Sequence, residues 1–345
     1  MLIDTHAHVI PGSFPPAPSG CDPADWPAME PVEEDPGDGA RVLASGPMRF
    51  TARSVWYDAE RRLAASAASG VDAELVSPFP PLLNYRLPAG PGRDMARVVN
   101  EYIAGLCAAY PGRIYGLGTV PLQDPDLAAA ELTDIAKSGL AGVEIASNVA
   151  GASLADTRFT GFFAEAERLG TAIFVHAMPA PSERLPGPAT ATFGVGVEGT
   201  LAAAAIITGG VAEKYPGLRL AFSHAAGGLP LMLGRAQWFW GRTWNEEPPG
   251  PGGAGPGPEA APWAAEHGPA ELARRFYYDS LVFDRRAIRF LIDLLGADRL
   301  LVGSDFPAVP REDPCGRTLR SLDLPDDVLE NITWHNAFRF LGVDS

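Results

Sequence analysis

The chain has 345 residues, 46% of them hydrophobic, and a formal net charge of −15. That much apolar material supports one large core. The acidic balance excludes the basic face that nucleic acid needs and disfavours anionic membrane surfaces. With 38 Gly and 34 Pro, the composition fits a fold of many turns and long loops rather than general disorder.

Short apolar, β-branched runs alternate with longer Ala-rich amphipathic ones. The pattern predicts strands at 2–8, 73–79, 114–120, 142–147, 172–177, 218–225, 276–281 and 299–306. Helical periodicity falls between them near 58–69, 94–110, 126–138, 159–169, 199–214, 229–241 and 284–296, with a last helix near 326–341. Asp124-Pro125-Asp126 reads as a helix start, and Gly139 and Gly170 stand where helices should stop. Eight strand–helix units in this order predict a single α/β domain over 1–345, a (β/α)₈ TIM barrel.

Two segments break the rhythm. Residues 11–50 are rich in Pro, Gly and acidic side chains, and residues 245–269 contain PPGPGGAGPGPEAAP. Both are expected as loop excursions near the loop-bearing face, the first a lid and the second a flexible insertion. The three cysteines, Cys21, Cys107 and Cys315, are odd in number and have no CxxC spacing, which argues against a disulfide scaffold or a structural zinc site. MLIDTHAHVIP has no basic n-region, and no run is expected to reach membrane-crossing length. A cytoplasmic setting is the expectation.

His6 and His8 are two apart on the first strand and therefore share a face, where they can clamp one cation. His176 and His224 fall at the ends of the fifth and sixth strands, and Asp305 at the end of the eighth. Barrel active sites are built from strand C-termini. Four imidazoles and a carboxylate converging there suit Zn²⁺; a scatter of core histidines is the plainer alternative. His267 and His335 lie in the Gly/Pro loop and the last helix and are expected to be structural or solvated. Asp4, two residues before His6, is expected to point inward as a hydrogen-bond partner.

IDTHAH, FVHA, FSHAAGG and GSDFP, in this order, resemble the amidohydrolase superfamily. YGLGTVPLQDPDLA (115–128), GGVAEKYPGLRLAFSHAAGGLP (209–230) and FYYDSLVFD (276–284) resemble, within it, the α-amino-β-carboxymuconate-ε-semialdehyde decarboxylase family. The resemblance spans 1–341 except the two excursions. It implies a mononuclear site at the strand C-termini, with His6, His8, His176 and Asp305 holding one Zn²⁺, or another divalent ion such as Mn²⁺, and a water completing the shell. His224 stands off the metal as general acid or base. Many superfamily members bridge two metals with a lysine on the fourth strand. GVEIAS has none, since the only lysines are Lys137 and Lys214. Glu144 is the one candidate bridge on that strand, with a hydrogen-bonded polar barrel residue as its plainer reading.

The resemblance further implies that Arg61, with Arg62 beside it, and Arg235 grip substrate carboxylates. Arg235 would be donated by the partner of a homodimer. The chain departs from the family at Ala177-Met178, where Pro-Trp is usual, at Ala308, where an aromatic is usual, and at Phe283, where a histidine is usual. Met178 and Phe283 therefore line a pocket shaped for a different small-molecule carboxylate. The implied activity is metal-dependent, non-oxidative decarboxylation of a carboxylated aromatic or unsaturated acid. Hydrolysis of an amide or lactone, or hydration, would use the same site. A non-catalytic binding barrel is a third reading, and metal content discriminates it.

Overall fold

The computed structural model describes residues 1–32, 37–178, 185, 188–241 and 266–343. Eight parallel strands form one sheet in chain order: β1 (Ile3–Val9), β2 (Ala73–Pro78), β3 (Ile114–Gly118), β4 (Gly142–Ala146), β5 (Ala172–His176), β6 (Arg219–Phe222), β7 (Tyr277–Asp279) and β8 (Leu300–Leu301). The sheet closes on itself through the chain just after β8. Thr5 N–H donates to the Val302 carbonyl at 2.7 Å, Asp305 N–H to the His6 carbonyl at 2.7 Å, and His8 N–H to the Phe306 carbonyl at 2.7 Å. All eight expected strands are present, so the barrel expectation holds. The last three are shorter than the sequence pattern suggested, because their C-terminal residues leave the ladder to build the mouth.

Helices α1 (Ala59–Ala68), α2 (Ala89–Ala109), α3 (Pro125–Lys137), α4 (Thr160–Leu169), α5 (Val195–Thr208), α6 (Leu229–Gly241), α7 (Arg285–Leu295) and α8 (Asn336–Leu341) follow the strands. The Asp124 side chain accepts the Leu127 N–H with Pro125 at the first helical position, the helix start that the sequence announces. Gly170 ends α4 in the left-handed conformation at φ 63°. Ile3, Leu75, Leu117, Phe174, Ala221 and Leu301, from six strands, pack together with Phe340 and Leu341 of α8. That cluster fills the barrel interior and leaves the strand C-termini for the site. The outer core lies between strands and helices and includes Val9, Val76, Ile145 and Phe222.

Three expectations are corrected. Residues 28–52 are not all loop: Ala28–Pro31, Arg41–Ser45 and Met48–Ala52 form a three-stranded antiparallel sheet. Ser45 pairs with Met48 across Gly46-Pro47, a two-residue hairpin that RVLAS-GP-MRFTA encodes and the surrounding Pro and Gly obscure. The segment Thr190–Thr208 is 19 residues long with mean hydropathy 1.5 and does reach membrane-crossing length by composition. It packs along the barrel with Phe193, Val197 and Leu201 exposed. Asp4 faces outward, not inward. The pairing of β1 with β2 slips between Asp4 and Ala7, and this bulge reverses the side-chain parity so that Ile3, His6 and His8 point inward while Asp4 meets Arg311. The expected insertion at 245–269 lies outside the described residues up to 265; Pro269–Ala273 is a short helix.

Candidate metal centre and acid–base site

β1 delivers His6 and His8, both essentially buried. His6 Nδ1 lies 2.7 Å from Asp279 Oδ2, and His8 Nδ1 lies 3.0 Å from the Pro78 carbonyl. A carbonyl only accepts, and the Asp279 carboxylate is held ionised, so each Nδ1 carries the proton and each Nε2 carries a lone pair. Those two Nε2 atoms face each other at 3.2 Å. Two ring nitrogens at that distance need a proton or a metal cation between them. Burial would lower the His6 pKa, but the Asp279 and Asp305 carboxylates outweigh it and raise the pKa, and so favour positive charge there.

His176 closes the third side at the end of β5. Both of its buried ring nitrogens lack a hydrogen-bond partner, a costly arrangement for a polar group unless a ligand satisfies it. Burial, reinforced by the neighbouring His8 and His6, lowers its pKa well below the usual imidazole value, so it stands as a neutral donor. Asp305 Oδ1 completes the set at 3.1 Å from His8 Nε2 and 3.6 Å from His6 Nε2. Burial alone would raise its pKa, but the imidazoles of His224, His8 and His6 hold it far below the carboxylate range.

The donor atoms of His6, His8, His176 and Asp305 all lie within 4.8 Å of one another. Tetrahedral ligands about 2.1 Å from a Zn²⁺ ion sit roughly 3.3 Å apart. The spacings and the donor chemistry fit a divalent cation.

His224 joins from the end of β6, outside the four-residue cluster, with Nε2 3.8 Å from Asp305 Oδ2. Its backbone is unusual. His224, Ala225 and Ala226 have φ of 53°, 52° and 55°, followed by Gly227 at 61°. Left-handed residues in succession are strained for side chains with a Cβ. A Cβ at Gly227 would lie 1.8 Å from the Gly196 carbonyl oxygen, so only glycine fits there. The Ser223 hydroxyl accepts the Ala177 N–H at 2.9 Å and lies 2.9 Å from His224 Nδ1. Ser223 thereby holds the His224 ring so that Nε2 faces the site, toward Asp305 Oδ2.

Asp279, the last residue of β7, escaped the sequence reading. It accepts from His6 Nδ1, from His224 N–H at 2.9 Å, from Ala225 N–H at 3.0 Å and from Leu281 N–H at 3.2 Å. Burial pushes its pKa up, but His6 and His224 outweigh that and hold it low. One carboxylate thus orients His6, a candidate metal ligand, and the strained turn that carries His224. The signal available was its place inside FYYDSLVFD at a strand end.

Glu144 on β4 departs from the hydrogen-bonded reading. It is fully buried, neither oxygen has a hydrogen-bond partner, and Oε2 lies 3.7 Å from His8 Nδ1. Its potential donor is already spent on Pro78 and Ser77, and burial pushes the carboxyl pKa up to about 8.

The arginine pair is split by the fold. Arg61 is solvent-facing, donating to the Asp38 carbonyl at 3.0 Å and Ser54 Oγ at 3.1 Å. It lines a cleft of ≈ 400 Å³ with Arg41, Tyr57 and Asp58. Arg62 is buried and donates to the His8 carbonyl at 2.7 Å. Met178 follows His176 by two residues, its N–H held by Ser147 Oγ at 3.0 Å. Phe283, four residues past Asp279, is 55% exposed and left-handed at φ 50°. Arg235 is exposed on α6 and stacks on Phe239 at 4.8 Å. His267 and His335 lie apart from the cluster, paired with Glu213 at 2.6 Å and Glu330 at 3.8 Å.

This geometry, a closed barrel with three imidazoles and one carboxylate at the mouth, is that of a metal-dependent barrel enzyme, and the chain belongs to the amidohydrolase family, whose profile matches residues 3–343. Among curated relatives, the 2-amino-3-carboxymuconate-6-semialdehyde decarboxylase of Dictyostelium discoideum is 28% identical, over 100% of this chain and 92% of that protein. The crystal structure of 5-carboxyvanillate decarboxylase from Sphingomonas paucimobilis superposes with a TM-score of 0.75 at 25% identity, covering 99% of each chain. A dihydroxybenzoic acid decarboxylase from Polaromonas, solved with bound manganese and the inhibitor 2-nitroresorcinol, shares the fold at a TM-score of 0.71 and 22% identity, over 84% of this chain and 88% of that one.

Proposed function

We propose that the protein is a divalent-metal-dependent carboxy-lyase that removes CO₂, without oxidation, from a carboxylated aromatic or unsaturated acid. The observation that carries this reading is His224: an imidazole beside the ligand cluster, outside it, with Nε2 directed at Asp305 Oδ2 in the mouth. Three imidazoles and one carboxylate, with donor atoms within 4.8 Å of one another, suit Zn²⁺, with Mn²⁺ the alternative. His6, His8, His176 and Asp305 would hold it. A cation bound there supplies Lewis-acid polarisation of a substrate carboxylate or adjacent oxygen.

The chain's own residues do the rest. Ser223 and Asp279 fix the ring and backbone of His224. His224 Nε2 gives its proton to the substrate carbon that bears the carboxylate. The π pair at that carbon forms the new C–H bond; the C–C bond to the carboxylate then breaks, its electron pair restores the double bond, and CO₂ departs. His224 regains its proton from solvent. Arg61 and Arg235 are the candidate carboxylate grips, and Met178 and Phe283 the candidate walls. The exposed, left-handed Phe283 supports a flat ring as the group it meets.

A homodimer belongs to this reading. Leu201 on α5 is 58% exposed and Leu231 on α6 is 76% exposed. With Phe193, Val197, Met232 and Phe239 they make an apolar face around Arg235. A second copy covering that face would carry Arg235 to its neighbour.

The test is to purify the protein without chelator, then measure bound metal and evolved CO₂ against carboxylated aromatic and muconate-like acids. About one metal per chain is expected, with CO₂ release that His224→Ala abolishes while metal is retained. One metal with no CO₂ from any acid would move the reading to hydrolysis or hydration at the same site.

A further inference from the structure

Behind the metal ligands lies a buried, charge-balanced quartet that the chemistry above does not use. Asp4 (β1), Glu74 (β2), Arg62 (α1) and Arg311, from the chain after β8, are all nearly inaccessible. Arg311 pairs with Asp4 at 2.8 Å and with Glu74, and its Nη1 donates to Ser66 Oγ at 3.0 Å. Arg62 Nε donates to Glu74 at 2.7 Å. Two buried cations matched by two buried anions meet the requirement for keeping charges out of water.

Both guanidiniums lie against the same ring. Arg311 Cζ is 3.9 Å from the centroid of Phe306, and Arg62 Cζ is 5.3 Å from it. Phe306 follows Asp305, and Asp305 is left-handed at φ 58°. A side chain with a Cβ holds that conformation only where its surroundings enforce it. The backbone is tied on both sides, with Asp305 N–H on the His6 carbonyl and the Phe306 carbonyl accepting from His8 N–H. The Phe306 N–H donates to Ser304 Oγ at 3.2 Å, and that hydroxyl bonds Asp4. Arg62 Nη1 holds the His8 carbonyl.

We propose that Arg311, stacked on Phe306, is a positioning device for the metal site. It locks Asp305 in its left-handed conformation so that Oδ1 meets His6, His8 and His176. This rests on the ligand assignment proposed above. Arg311 and Phe306 do not touch the reacting atoms; they act through Asp305. Cation–π stacking suits the task because it holds the ring flat without competing for the carboxylate.

The experiment compares wild type with Phe306→Leu, Phe306→Tyr and Arg311→Lys. Zn²⁺ affinity is measured by competition with a chromophoric chelator, alongside the melting temperature of each chelator-stripped protein. Phe306→Leu leaves the ionic quartet intact and removes the ring. Its Zn²⁺ affinity is expected to fall ~10-fold or more, the scale of outer-shell losses, with the metal-free melting temperature close to wild type. Phe306→Tyr keeps the ring and should restore binding. Arg311→Lys keeps the charge but loses the planar stack and part of the bonding to Asp4, Glu74 and Ser66, so its Zn²⁺ affinity should fall like that of Phe306→Leu while its metal-free melting temperature also drops. Wild-type affinity in both Phe306→Leu and Arg311→Lys would overturn the clamp while leaving the metal site standing, as would equal losses in Phe306→Leu and Phe306→Tyr. A wild-type protein that binds neither Zn²⁺ nor Mn²⁺ would overturn the ligand assignment and the clamp with it.

Discussion

His6 and Asp279 meet at 2.7 Å, and the oxygen that receives the imidazole proton also accepts the backbone N–H of His224 at 2.9 Å. One carboxylate therefore sets the tautomer of a proposed metal ligand and the placement of the proposed acid–base residue. Asp279→Asn should lower metal affinity by about 10–100-fold and should also lower the rate at saturating metal. The two effects separate in a metal titration followed by CO₂ assays at saturation. Wild-type rates once metal is restored would leave Asp279 serving the metal alone.

Ser223 is expected to matter for rate and not for metal. In Ser223→Ala, His224 Nδ1 loses its partner and the ring is free to rotate or change tautomer. CO₂ release should fall by about 10-fold, the low end of what a positioned proton donor contributes, with metal content unchanged. A loss of metal in this variant would mean that Ser223 acts through Ala177 and His176 instead.

Chelation should destabilise the protein as well as silence it. The metal would bind the folded site and not the unfolded chain, so its removal withdraws about 4 kcal/mol of linkage stabilisation for a ligand held at a thousand times its Kd. The melting temperature should drop on chelation and recover with added Zn²⁺ or Mn²⁺. His176→Ala should make it insensitive to both treatments, because its ring is the donor without any protein partner.

The buried quartet has its own pH signature. Burial would raise the Glu74 pKa, but Arg62 and Arg311 outweigh that and set it below the ordinary 4.5. A carboxylate with a depressed folded pKa contributes stability above its unfolded value and loses it as pH falls through the folded one. Urea unfolding of metal-free protein should therefore show stability declining below about pH 4.5. Glu74→Gln should be less stable at pH 7 by about 3 kcal/mol, as for a broken buried pair, and should decline less steeply in acid. An unchanged acid limb would remove Glu74 from the quartet's energetics.

The apolar face on α5 and α6 is tested by charge. Leu201→Glu with Leu231→Asp should convert a dimer to a monomer in sedimentation or size exclusion. If Arg235 serves the neighbouring site, the monomer should bind metal normally and turn over poorly. A monomeric wild type would remove Arg235 from the site.

The sequence by itself determined the barrel and most of the proposed metal centre. Strand and helix periods are local, and so is the two-residue spacing that puts His6 and His8 on one face. His176, His224 and Asp305 were legible because a parallel barrel gathers strand C-termini at one mouth. Tertiary structure alone decided what those residues lean on. Asp279 is 273 residues from His6, and no spacing rule joins them. The bulge that turns Asp4 outward depends on pairing with β2, which local alternation does not record. Arg61 and Arg62 look interchangeable in sequence, yet packing of α1 on the barrel buries one beneath His8 and leaves the other in solvent. Glu144 was expected to be hydrogen-bonded, but His8 Nδ1, 3.7 Å from it, is committed to the Pro78 carbonyl on another strand. Periodicity specifies which face a side chain takes, whereas its partners are set by chain closure, which brings distant residues together only once the barrel is complete.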